Sequence, residues 1–184
     1  MAAPQRRWAA ELLHFWFHKL GTRSWFAPDP SVDAMLRASF GREVTRLAVR
    51  PAHEFLDDPH TALAAVLLFD QLPRNLYRGT ARAFAFDPLA RAITRGALDR
   101  GWDAALTPPQ RQFLAMPLMH SEHIADQRRS LAIYARLGRR HGWPFAVSHH
   151  RMIARFGRFP HRNETLGRTS TPAEKAAVAA GNRW

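Results

Sequence analysis

Apolar residues recur along this chain at spacings of three and four, and Gly, Pro or polar residues interrupt them at regular intervals. Trp8, Leu12, Phe15, Trp16 and Leu20 form the first stripe, which Gly21 ends. Pro30 and Ser31 open a second, through Met35, Leu36, Phe40 and Leu47. A third runs from His60 to Gln71 with Leu63, Val66 and Leu67 on one face, and Pro73, which lacks an amide hydrogen, is expected to stop it. Asp87-Pro88 reads as an N-cap followed by proline at the first helical position, and that helix carries Leu89, Ile93 and Leu98 as far as Gly101. Thr107-Pro108 opens the fifth helix and Pro117 closes it. Ser121 is the expected cap of the sixth, which presents Ile124, Leu131 and Leu137 before Gly138. Pro144 starts the seventh, which runs through Ile153 to Gly157. Thr171-Pro172-Ala173-Glu174 has the form of a capping box ahead of a short terminal helix. Period-two alternation is missing. The pattern predicts an all-α single domain over residues 1–184, an irregular array of about seven to eight helices.

Composition narrows the function. There is no cysteine, so neither a disulfide framework nor a thiolate metal site is available. Met1 to Gln5 is short and polar, without the apolar core of a cleaved signal. The longest apolar run, Leu63 to Phe69, is far short of the roughly 18 residues a membrane span requires. A cytoplasmic protein without a membrane segment is expected. The net charge of +12 suggests nucleic acid, but its make-up argues otherwise. Of 27 basic residues, all but Lys19 and Lys175 are arginine, and Ala and Pro are abundant too. All three are encoded by GC-rich codons, so genome bias accounts for much of the arginine. The charges are scattered, with Arg6-Arg7, Arg128-Arg129 and Arg139-Arg140 the only adjacent pairs. Nucleic acid is therefore not the expected partner.

Three polar segments carry candidate chemistry. In the first, Asp70, Gln71, Arg74, Asn75 and Arg78 interrupt the end of an apolar helix. Arginine there can satisfy helix-end carbonyls, or Asp70 can orient Arg74 or Arg78 toward a ligand anion. In the second, His120, Ser121 and Glu122 are adjacent, too close in sequence for a directed triad. His120 and Glu122 remain candidates for proton transfer. The third follows His149 and His150 and holds Arg155, Arg158, His161, Arg162, Asn163 and Arg168 among Phe, Gly and Pro. Such a loop can present guanidinium forks to phosphate or carboxylate, or neutralise buried acids. Glu11-Leu12-Leu13-His14 matches the Glu-x-x-His spacing of di-iron bundles once where two copies are needed, and there is no His-Glu-x-x-His motif, so no metal site is expected. Nothing in the sequence names a cofactor.

With Phe15–Phe17 and Trp25–Phe26, the stretches 69–87, 113–127 and 155–174 resemble the bacterial DUF924 family, in the family's order and over nearly the whole chain. Asp70, Gln71, Arg74, Asn75 and Arg78, then His120, Ser121 and Glu122, then Arg155, Arg158, His161, Arg162, Asn163 and Arg168 stand where the family pattern has them. The resemblance implies a helical, TPR-like fold and assigns no activity.

Two functions of different class follow. One is a small-molecule site, with enzymatic capacity, in which Arg155, Arg158 and Arg162 with Arg74 or Arg78 hold a small anion. In it Gln71, Asn75, Asn163 and Arg168 assist, His120 or His161 moves protons, and Asp70 and Glu122 orient the cations. The other is a TPR-like interaction module with a basic groove for an acidic peptide. The first requires the three segments to converge on one pocket.

Overall fold

The computed structural model describes residues 7–181, and every regular element among them is helical. Met1 to Gln5, read above for targeting, lies outside the described residues. The main helices are α1 (Arg7–His14), α2 (Pro30–Leu47), α3 (Pro59–Val66), α4 (Leu72–Leu76), α5 (Asp87–Asp99), α6 (Pro108–Met119), α7 (Ile124–Leu137), α8 (Trp143–Phe156) and α9 (Pro172–Ala179). Short 3-10 turns link several of them, and π-helical segments extend α1 over Phe15–Lys19 and join α3 to α4 over Leu67–Gln71. No helix among the described residues is long and apolar enough to cross a membrane.

Four helix starts follow local capping chemistry. Asp29 and Asp58 cap α2 and α3 by accepting from the next two free amides. Thr107 with Gln110 and Thr171 with Glu174 close capping boxes on α6 and α9. Gly101 and Gly157 end their helices in the left-handed conformation.

Four expectations need correction. Pro73 does not stop its helix: the π segment widens the turn, Leu72 N–H bonds back to Leu67 O, and the chain continues helical to Leu76. The wider turn removes the clash a proline ring otherwise makes with the carbonyl four residues back. Pro117 lies inside α6, whose last turn runs on to Met119. Ser121 does not cap α7. His123 is at the cap position, and Ser121 Oγ instead accepts from His123 N at 3.1 Å and from Arg91 Nη1 at 3.0 Å while donating to Asp126 at 2.7 Å. Asp87 is not a cap either: it is the first residue of α5, and its carboxylate reaches Arg74 across the fold.

Two helices are buried on all sides. Residues 61–73 and 112–119 are buried without interruption, so they form the centre and the amphipathic helices cover them. Near their junction Phe113 packs among Trp16, Phe17, Trp25 and Phe26 at ring-centroid distances of 5.5, 5.7, 5.1 and 6.0 Å. Trp25 Nε1 donates to Trp16 O at 2.8 Å, fixing the turn that carries Phe26. A smaller apolar cluster of Met152, Ile153, Phe159 and Ala177 seats α9. Phe113 is fully buried, so Phe113→Ala is expected to cost about 3–5 kcal/mol in urea unfolding. A loss below about 1 kcal/mol would mean the aromatic cluster does not organise this region.

Candidate functional site

The site begins in the π segment, which turns Asp70 into the protein interior, where its residue is fully buried. A buried carboxylate needs several hydrogen bonds, and Asp70 has them. His120 Nδ1 lies 2.9 and 3.0 Å from its two oxygens, Gln71 Nε2 lies 2.5 Å from Oδ2, and Arg74 Nη1 lies 3.2 Å from Oδ1. Burial pushes the carboxyl up, but the Arg74 cation and the His120 contact outweigh it and hold Asp70 ionised, well below the usual carboxylate range. An ionised carboxylate only accepts, so His120 carries its proton on Nδ1 and leaves Nε2 as a lone pair on the other edge of the ring. Burial foremost, with Arg74 and Arg162 adding, lowers the His120 pKa against the opposing pull of Asp70, so the imidazole is neutral at pH 7.

Arg74 extends the network. Its guanidinium pairs bidentately with Asp87 at 3.0 and 3.1 Å. Arg162 approaches the same carboxylate only at 3.5 Å and makes no side-chain hydrogen bond among the described residues. Yet Arg162 is only 6% exposed. It is held between the rings of Phe84 and Phe159, 4.7 and 4.5 Å from its central carbon. Burial, reinforced by repulsion from Arg74, pulls its pKa down to about 10. This is an under-satisfied buried cation.

Arg74, His120 and Arg162 all face one cleft of about 620 Å³. Gln71, Asn75, Arg78 and His161 also line it, so residues from all three polar segments meet there. Its apolar wall includes Trp25, Phe84, Met116 and Met119. At the mouth stand Phe26 and Phe145, 61% and 58% exposed, beside Arg139 and Arg140. A second hollow of about 500 Å³ between α1 and α3 holds His14, His18 and His60, but its carboxylate, Asp58, is occupied capping α3. The chemistry therefore points to the larger cleft. No group of three or more His, Asp or Glu among the described residues is arranged to hold a metal ion.

The remaining predicted residues do not line the cleft. Glu122 pairs bidentately with Arg168 at 2.7 and 3.0 Å and accepts from Phe159 N at 2.8 Å. Burial opposes but does not overcome these bonds, which lower the Glu122 pKa. Arg158 pairs with Glu174 at 2.6 and 2.9 Å and donates to Thr169 O at 2.9 Å. Asn163 donates to Ser170 Oγ at 3.0 Å. Arg155 is exposed and lies against Phe156. Apart from Arg155, these groups fasten the C-terminal loop and α9 to the body. Asn75 and Arg78 both donate to Asp33 of α2, so Asp70 orients Arg74 and His120 but not Arg78. His161 lines the cleft, but burial and the adjacent Arg162 lower its pKa to about 4.

Asp87, read only as a cap, and Asp33, Phe84 and the rim arginines were not assigned to the site from the sequence. Asp87 could have been found only by noticing that a proline after an aspartate starts a helix equally well with the aspartate inside it.

The hydrogen bonds from Arg158 and the capping box hold the Glu174 pKa at about 2. A carboxyl depressed in the folded state contributes stability above its unfolded pKa and loses it as pH falls toward the folded one. Melting temperature should therefore carry a component that is lost between about pH 4.5 and 2 and is missing in Glu174→Gln. Arg158→Ala should melt early at pH 7 without altering ligand response. An Arg158→Ala protein that melts like wild type would remove the clamp.

Residues 12–182 match the family described as bacterial protein of unknown function (DUF924). A solved structure of a protein of unknown function from Agrobacterium tumefaciens is 38% identical, with a TM-score of 0.89 over 94% of this chain and 97% of that one. No curated protein matches.

Proposed function

The chain belongs to the DUF924 family of bacterial proteins of unknown function, and we propose that its cleft binds a small organic anion, a carboxylate or phosphate head on an apolar body. The observation that carries this reading is Arg162. A guanidinium offers five donors, and burying it without hydrogen bonds is costly unless something else supplies the acceptors. Asp87 does not supply them: Arg162 Nη1 stays 3.5 Å from its carboxylate, which Arg74 holds bidentately. An oxyanion in the cleft would, through the planar fork that suits carboxylate and phosphate alike. The walls of Trp25, Met116 and Met119 match an apolar body behind that head. This reading drops Arg155 and Arg158 from anion recognition and keeps Arg162, with Arg74 beside it in the cleft. A cytoplasmic location suits it, because free organic acids and phosphate esters circulate there.

The exposed Phe26, Phe145, Arg139 and Arg140 at the mouth favour a second reading, an acidic peptide with an aromatic or aliphatic anchor. It would engage the rim without needing Arg162.

Octanoate and octyl phosphate test the first reading, with octanol and inorganic phosphate as controls. Either amphipathic anion at a hundredfold excess over its Kd should stabilise wild-type protein by about 2.7 kcal/mol. Arg162→Met should abolish that response. It should also leave the unliganded protein unchanged or more stable by up to about 2 kcal/mol, because it removes a poorly compensated buried charge and leaves Asp87 paired with Arg74. An unliganded Arg162→Met that melts several degrees lower, with wild type indifferent to both anions, would make Arg162 structural.

A further inference from the structure

We propose, resting on the anion-binding reading, that an oxyanion bound at Arg162 is taken up together with a proton, which goes to Nε2 of His120. Both residues line the cleft, and Asp70 holds His120 by Nδ1, so the free Nε2 edge is the one that remains to meet a ligand.

The charges around the imidazole decide its state. From the π segment and α4, Asp70 and Arg74 face it; from the C-terminal loop come Arg162 and His161; from α8 comes His149, its ring centroid 6.0 Å away. From α7, the Tyr134 hydroxyl is pushed up by burial and by Asp70, so it stays neutral and donates to Gln112 O at 2.7 Å. Without a ligand, the burial of His120 and two nearby guanidinium groups oppose a second ring proton, and Asp70 alone favours it. An arriving oxyanion changes the balance twice. It neutralises the field of Arg162, and it adds its own negative charge beside the ring. An opposite charge within hydrogen-bonding range favours the charged imidazole, so both changes raise the His120 pKa and favour the second ring proton.

The step balances simply. One proton leaves solvent, an Nε2–H bond forms, and the Nδ1–H bond to Asp70 is kept. The product is an imidazolium clamped by a carboxylate on one edge and presenting a proton to the bound head group on the other. That is a general acid for chemistry at or next to the oxyanion, such as protonating a leaving oxygen. The neighbouring histidines are poorer recipients, because burial and their cationic surroundings hold His149 near 3 and His161 near 4.

The test is titration calorimetry of octanoate into wild-type protein at pH 6.5, in two cationic buffers of unequal ionisation enthalpy. The expected result is uptake of roughly 0.3–1 proton per bound octanoate. His120→Gln should abolish the uptake while octanoate affinity falls less than about tenfold, since Arg162 still holds the head. His161→Gln should keep the uptake. Should His120→Gln fail to fold, nitrogen-15 NMR of the wild-type imidazoles keeps the proposal falsifiable, because the His120 titration should move to higher pH on octanoate addition. Octanoate binding that depends on Arg162 but takes up no proton overturns this proposal and leaves the anion site standing. So does uptake that survives in His120→Gln and disappears in His161→Gln. No binding of octanoate or octyl phosphate overturns both.

Discussion

A single carboxylate buried at the centre of the molecule, that of Asp70, sets the terms for everything around it. An ionised group without solvent must be matched by donors from several directions, or the fold loses more than it can spare. Here Gln71 comes from the same π segment, Arg74 from the next turn and His120 from the end of α6. The π segment makes this possible. It tolerates Pro73 and continues the helix far enough for Arg74 to fold back over Asp70. Arg74 in turn fixes Asp87 at the start of α5, and Asp87 is the nearest acid to Arg162. Four separate stretches of chain are thereby held around one cleft by a connected series of charges and hydrogen bonds.

The series does not close. Two carboxylates, Asp70 and Asp87, serve two guanidinium groups and an imidazole, and the last cation in line has the poorest contacts. The C-terminal network differs in kind. Glu122 with Arg168, and Glu174 with Arg158, are bidentate pairs whose remaining contacts go to backbone. They secure a loop. In that loop, the contrast between arginines held bidentately by an acid and Arg162, which is not, separates structure from candidate function, and residue type alone cannot make it.

That distinction explains how far the sequence could be read. The helices were legible because their starts and stops are local: Thr107, Thr171, Gly101 and Gly157 do what the short-range rules say. The failures at Pro73 and Pro117 arise where tertiary burial overrides a local breaker. The polar segments were visible as interruptions of apolar runs, and residues of all three reach the cleft. Which arginine was free was not visible. Arg155, Arg158, Arg162 and Arg168 look alike in one stretch of sequence, and only long-range partners such as Glu122 and Glu174 tell them apart. Asp87 was hidden for the opposite reason, since its local reading as a cap was complete without a distant partner.

In the function proposed above, Arg162 is buried to receive an oxyanion. A crystal structure of the protein grown with octanoate tests it most directly. A carboxylate is expected about 2.7–3.1 Å from the Arg162 guanidinium nitrogens, its chain along Trp25, Met116 and Met119. Octanoate found only at Arg139 and Arg140 on the rim, with the Arg162 side chain still facing an empty cleft, would contradict it.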